Sequence, residues 1–277
     1  MHSSAQFLSR SLKSADTIGS YISGVKQLHL LVGADYPHTG AFALKLTLRG
    51  LRNVLQHLPH RAAAITPEML SQFYHFLDLS KPVNATVWCI FLFAFFLMAR
   101  SSNLVPKSVH SFDPKKQLLR GDIFTSHDFL LVALRWSKTN QSGGRVVQVP
   151  LLPVAGHPLC PVSAFHSMCR LSPASDRDPA FGVHKGKKFF PLTYSQFQSY
   201  LGIVVNAVKL NASGFSTHSF RRGGATWAFK AQVPSDLIQI HGDWASDAYK
   251  VYLECDLEQR AKVAEMMGNN IQSFVQV

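Results

Sequence analysis

Apolar residues recur at helical spacing through the first part of the chain. Tyr21 to Val32 carries them with the period of one helix face. After a break at 33–40, punctuated by Gly33, Asp35, Pro37 and Gly40, the pattern resumes over Ala41 to Leu55, with Leu44, Leu48, Leu51 and Leu55 at i, i+4, i+7 and i+11. Thr66-Pro67-Glu68 predicts a further helix start: a hydroxyl to cap, a proline at the first helical position and an acid in the first turn. Lys81-Pro82-Val83-Asn84 interrupts again, and Val87 to Met98 is then apolar without a gap. That run is shorter than the roughly 18 residues a membrane span takes. It reads as a helix buried on all sides at the centre of a domain.

Beyond Arg100 the texture changes. Asp128 to Trp136 is rich in Leu, Val and aromatic residues, residues 140–144 form the turn signal Asn-Gln-Ser-Gly-Gly, and Arg145 to Leu151 alternates around Val146, Val147 and Val149. This predicts an antiparallel hairpin, with Lys138 where the first strand meets the turn. Helical spacing returns over Cys160–Met168, Tyr194–Lys209, His218–Ala231, Ser235–Ile240 and Ser246–Met267, with Thr217 and Ser246 placed to cap. The cluster His184-Lys185-Gly186-Lys187-Lys188 reads as a surface loop. The fold class expected is α+β, mostly α. A helical domain over residues 1–78 precedes a mixed domain over 79–277 with a small antiparallel sheet. Met1 to Ser20 has no apolar stretch of the kind a secretory leader needs.

Composition narrows the function. The 277 residues are 47% hydrophobic with 20 Phe, which excludes a disordered chain. Four scattered cysteines, Cys89, Cys160, Cys169 and Cys255, exclude a disulfide scaffold and read as reduced thiols, and no close Cys/His cluster suggests zinc. Lys and Arg number 28 against 16 Asp and Glu, a formal charge of +12 spread over both predicted domains. Such a chain attracts polyanions. With no membrane span in view, nucleic acid is favoured over a membrane surface, and charge on both domains is what a protein gripping a duplex from two sides would need. Lys45, Arg49 and Arg52 repeat at i, i+4 and i+7, so three cations share one helix face, placed to track phosphates.

The chemistry-bearing stretch is Thr217-His218-Ser219-Phe220-Arg221-Arg222-Gly223-Gly224, which sets an imidazole and a guanidinium three residues apart in the first turn of a helix, a ready anion site. Downstream, His241-Gly242-Asp243-Trp244 precedes Tyr249 and Tyr252. Singly, each of these residues has an ordinary structural explanation: a packed tyrosine, a helix-end arginine, a solvated lysine. Their order and spacing carry the signal.

That order resembles the tyrosine recombinases, the phage-integrase family. Arg100, after the long apolar helix, resembles the family's first arginine, Lys138 its hairpin lysine, and His218 with Arg221 its H-x-x-R motif. Tyr252 follows Arg221 by 31 residues, the family spacing for the nucleophile, and Tyr249, at 28, is expected to pack instead. The phrases Ser137-Lys138-Thr139 and Gly242 to Tyr252 are most like recombinases of eukaryotic mobile elements, DIRS-like retrotransposons and cryptons. Two positions depart from the pattern. Asn103 stands where an acid is usual, and the downstream His/Trp slot falls on Asp243 by count, with Trp244 one later and His241 two earlier. An indole or imidazole N–H can donate to a phosphate oxygen, whereas a carboxylate repels one. Trp244 is favoured for the slot.

The resemblance implies a SAM-like helical core-DNA-binding domain at the N-terminus, matching the latter part of the family's clamp, and a catalytic domain after it. It implies cleavage and rejoining of DNA through a 3′-phosphotyrosyl intermediate. Tyr252 is the nucleophile, Arg100 and Arg221 clamp the nonbridging oxygens, Lys138 protonates the leaving oxygen, His218 assists at the tyrosine, and Arg222 meets solvent or a phosphate. It implies no metal or small-molecule cofactor, a homotetramer on DNA with a docked C-terminal tail (265–277), and nuclear residence if the source is eukaryotic, cytoplasmic otherwise. A domesticated DNA-binding protein without catalysis is the alternative. A type IB topoisomerase would share the chemistry.

Overall fold

The computed structural model describes residues 2–36, 41–56, 62–126, 129–136, 145–253, 261, 264–267 and 271. The chain divides into two compact units, Met1–Arg61 and Ala62–Val277. Residues 62–78, expected in the helical N-terminal domain, therefore pack in the second unit. The reason is apolar: Ile65, Leu70, Phe73 and Leu77 are buried in the same core as the long central helix.

The first unit is three helices: α1 (His2–Leu8), α2 (Ala15–Leu31) and α3 (Ala41–Leu55). Helix α1 carries no strong sequence signal. Helix α2 begins six residues before the apolar pattern suggests, because the Ser14 hydroxyl caps it by accepting from Thr17 N. Ala5, Ile18 and Ile22 form its small core, against which Leu44, Leu48, Leu51 and Leu55 of α3 pack, the stripe the spacing predicts.

The second unit is built around α5 (Pro82–Phe96), in which every residue from Ala85 to Phe95 is buried. The apolar run has no polar face because protein surrounds it. Helix α4 (Pro67–Phe76) is capped by Thr66, whose Oγ1 accepts from Met69 N at 3.3 Å. On other sides of α5 lie α7 (Pro161–Leu171), α8 (Tyr194–Ala207) and α9 (His218–Lys230). The wealth of Phe is used here. The Phe91 ring meets Phe197 of α8 and Phe220 of α9, with centroids 5.8 and 4.8 Å apart, while Phe93 meets Phe165 of α7 and Phe181. No helix among the described residues is long and apolar enough to cross a membrane.

A short helix α6 (Ser101–Leu104) leads into an antiparallel sheet of order β1-β2-β3, with β1 at Ile123–Thr125, β2 at Leu130–Leu134 and β3 at Val147–Leu151. The β2–β3 pair is the predicted hairpin, its register running from Leu130↔Leu151 to Leu134↔Val147. Lys138 and its neighbours 137–144 lie outside the described residues. Three-residue β1 was too short to be seen in the sequence. The basic cluster at 184–188 is no irregular loop but the end of a second hairpin, β4 (Gly182–Lys185) with β5 (Lys188–Pro191), turned at Gly186 with φ +62°. After α10 (Ser235–His241), the helix expected over 246–267 starts as a 3-10 segment, Asp247–Tyr252, and residues 264–267 are helical. Residues 254–260 lie outside the described residues, and the Ser246 side chain makes no cap bond.

Helix α9 reaches the core through its paired glycines. A Cβ on Gly223 would collide with the Ile65 carbonyl, and one on Gly224 with the carbonyl of Phe95 at the end of α5. Both obstacles are backbone, so neither yields by a rotamer change. Gly224→Ala is expected to cost about 1–3 kcal/mol of stability through overpacking, measurable as a lower urea midpoint. An unchanged midpoint would mean that α9 need not lie so close to α5.

Candidate active site

Arg221 closes the first turn of α9 and is 2% exposed. A buried guanidinium requires acceptors, and two backbone carbonyls provide them. Nη1 donates to Met98 O, just past α5, and Nη2 donates to Gly242 O at 2.8 Å, just past α10. Trp244 lies against its plane, the guanidinium carbon 3.9 Å from the ring centroid. Arg100, half-buried at the start of α6, lines the same small cleft as Arg221. The two arginines, 121 residues apart in sequence, thus face one place.

His218 opens α9. Its backbone N–H is taken by the Ser216 hydroxyl at 3.2 Å, while Thr217, expected to cap, has helical backbone angles and makes no side-chain cap bond. The phenol of Tyr252 is 2.7 Å from His218 Nε2, with the rings edge to face. Tyr252 is held from two further sides: Thr226 of α9 donates its hydroxyl to the Tyr252 carbonyl, and the Trp244 ring lies 6.0 Å away. Tyr249 is 2% exposed in a cluster with Met98, Ala225, Ile238 and Trp244. In a 3-10 helix residues three apart eclipse, so both tyrosines face Trp244.

The electrostatics follow from crowding of like charge. Burial, then the neighbouring Arg100, lowers the Arg221 pKa to about 9, opposed by Tyr252 and Asp243. It remains cationic at neutral pH. Burial, then Arg221, Arg100 and Arg222, pushes the His218 pKa below its ordinary 6.5. At neutral pH the ring is therefore uncharged, and its Nε2 can accept from the Tyr252 hydroxyl.

The three residues near the downstream slot occupy different places. Trp244 is a buried platform under Arg221. Asp243, 8% exposed, forms an ion pair with Arg145, two residues before β3. His241 Nε2 is 2.8 Å from Phe96 O. Arg222, expected to meet solvent or phosphate, is half-buried and donates to Ala62 O at 2.9 Å. In the first unit, Lys45 and Arg49 are exposed, and Arg52 pairs with Asp16 at 2.7 Å. Thr226, Arg145 and the carbonyls of Met98 and Gly242 had no signal in the sequence, because their part is set by what the fold brings near. No group of three or more His, Cys, Asp or Glu suited to a metal gathers among the described residues.

No protein-family model and no curated protein sequence matches the chain. Solved structures do. The XerH site-specific recombinase bound to a palindromic difH substrate, a post-cleavage complex, matches with TM-score 0.54 and 17% identity over 76% of this chain and 53% of that one. XerH bound to difH before cleavage matches with TM-score 0.51 and 16% identity over 92% of this chain and 71% of the other. This chain thus spans about half the length of the first of these. What it shares with them is a fold, the mostly helical architecture with a small antiparallel sheet found in tyrosine recombinase catalytic domains.

Because the folded His218 pKa lies below the unfolded one, the unfolded chain takes up this proton first as pH falls. The stability linked to neutral His218 is complete above about 6.5 and is lost as pH falls from there toward the folded value. The drop in urea midpoint between pH 7.5 and pH 5.5 should therefore be smaller in His218→Gln, which cannot charge, than in the unsubstituted protein. Equal drops would place the acid sensitivity elsewhere.

Proposed function

We propose that this protein cuts and rejoins double-stranded DNA as a site-specific recombinase or integrase of the tyrosine type. The observation that carries the reading is the Tyr252 phenol 2.7 Å from an uncharged His218, beside a cleft shared by Arg100 and Arg221. A nucleophile, a proton acceptor and two forked cations are what phosphodiester exchange by a side chain needs.

In the proposed step Tyr252 Oη attacks the scissile phosphorus while its proton passes to His218 Nε2. The bond from phosphorus to the 5′ oxygen breaks, and that oxygen leaves with a proton from Lys138. One phosphorus–oxygen bond forms as one breaks, leaving a 3′-phosphotyrosyl link that a 5′-hydroxyl end can reverse without ATP. Arg100 and Arg221 neutralise the charge gathering on the nonbridging oxygens. Trp244 acts here by holding Arg221 flat from below, and the scheme calls on no cofactor. The charge of +12 and the exposed Lys45 and Arg49 suit a duplex partner, with residues 1–61 as part of a DNA clamp. The sequence phrases around Lys138 and Tyr252 favour a mobile-element integrase acting in the nucleus.

Strand exchange on this scheme needs four protomers, cleaving in pairs. An apolar cleft of about 540 Å³ between β3, α9 and α10 supports such an assembly, as do the exposed Met266, Met267 and Ile271 near the C-terminus.

Tyr252→Phe should lower covalent protein–DNA adduct formation on nicked duplexes by at least about 1,000-fold while DNA affinity is unchanged. Adducts at the unsubstituted level would remove the nucleophile assignment. DNA binding without adducts in the unsubstituted protein would favour the non-catalytic DNA-binding reading. On a duplex carrying paired sites, sedimentation should report a tetramer, and a strictly monomeric complex would contradict the assembly.

A further inference from the structure

We propose that Asn103 is a positioning residue for the hairpin that carries Lys138, and that it works together with an Arg145–Asp243 tie on the opposite strand. That Lys138 is the group being positioned rests on the reading above, whereas the anchoring of the hairpin does not.

The last described pair of the β2–β3 ladder is Leu134↔Val147. Just past it, on either side of residues 137–144, two side-chain ties fasten the described ends of the hairpin. Asn103 provides one. It is 4% exposed, lies on α6 in the turn that begins at Arg100, and donates its side-chain amide to the carbonyl of Trp136. Its own backbone N–H bonds to Arg100 O at 2.9 Å. One residue thus joins the exit of β2 to the turn that holds an arginine of the cleft.

The second tie mirrors the first. Arg145 begins the return toward β3 and pairs with Asp243, which directly follows Gly242, the residue whose carbonyl accepts from Arg221. Each end of the hairpin is therefore fixed to backbone that supports one of the two arginines. Asn103, Trp136, Arg100, Arg221 and Asp243 line a single cleft.

The chemistry also explains the residue type. A carbonyl acceptor needs a donor facing it, and an ionised carboxylate has none. Aspartate at 103 would set oxygen against oxygen in a buried site and leave the Trp136 carbonyl without this partner. The amide standing where the family resemblance leads one to expect an acid is thus fitted to this hairpin rather than a sign of decay.

The test separates positioning from folding. A DNA substrate with sulfur in place of the bridging 5′ oxygen releases a thiolate, which leaves without a proton, so a defect caused by a misplaced proton donor disappears on it. Asn103→Ala and Asn103→Asp should slow adduct formation on ordinary DNA by about 10- to 100-fold. On the sulfur substrate both should recover to within about threefold of the unsubstituted protein, as Lys138→Ala does. Equal deficits on the two substrates, with Lys138→Ala rescued, would overturn the proposal and leave the function standing. Hydrogen exchange on the free protein decides the anchoring without any chemistry. Amides at 130–136 and 145–151 should exchange faster in Asn103→Ala, while those of the β4–β5 hairpin should not change. Unchanged exchange in β2 and β3 would overturn the anchoring even in a protein that cleaves DNA. If the unsubstituted protein forms no adduct, the functional reading fails, and the exchange result still settles whether Asn103 holds the hairpin.

Discussion

A guanidinium taken out of water has to be surrounded by acceptors, and around Arg221 the chain is bent to supply them. Arg221 sits in α9, but its two acceptor carbonyls belong to segments far away in sequence, the ends of α5 and α10. At both places the backbone enters the left-handed region: Met98 at φ +48°, and Asp243, just after Gly242, at φ +52°. Such geometry costs about 1–2 kcal/mol for a residue with a side chain. Leaving a buried cation without partners costs several. The second cost exceeds the first, which is why two unfavourable turns persist. Gly224 serves the same end, since α9 must lie almost on the backbone of α5 for Arg221 to reach Met98, while Gly223 lets α9 approach Ile65.

The same burial sets the acid–base character of the site. Desolvation and three neighbouring cations hold His218 neutral, so in the free protein it can accept the tyrosine proton but not keep a charge easily. On the proposed reading, an arriving phosphate would reverse part of that balance. Its negative charge would offset Arg100 and Arg221, raise the basicity of the imidazole and so favour proton transfer when a substrate is present.

What the sequence revealed and what it hid divide along a physical line. Helix α3, the Thr66 cap, buried α5 and the β2–β3 hairpin depend on neighbours within a few residues, so spacing and turn chemistry exposed them. Arg100, His218, Arg221 and Tyr252 stood out because each holds a fixed place in an ordered set. The 3-10 segment at 247–252 was read as α because i, i+3 spacing fits both, and only packing on Trp244 distinguishes them. Strand β1 and the β4–β5 hairpin are too short for alternation to register. Ser216 displaced Thr217 at the start of α9 because two hydroxyls one residue apart are equivalent on paper, and only the direction of the incoming chain chooses between them.

The slot that sequence counting could not assign shows why such ambiguities arise. Three residues competed for one role, and the fold separates them by a single backbone inversion. With Asp243 left-handed, the chain turns sharply between Gly242 and Trp244. The carboxylate points toward Arg145, the indole slides beneath Arg221, and His241 stays behind on Phe96 O. An indole face attracts a cation without competing for its N–H groups, so Arg221 is braced from below while its donors remain committed in plane. A carboxylate in that position would pair with the guanidinium directly and cancel the charge that the cleft concentrates. Placing the acid on Arg145 instead keeps it close enough to favour the charged form of Arg221, while the positive field stays directed at the cleft that Arg100 and Arg221 share.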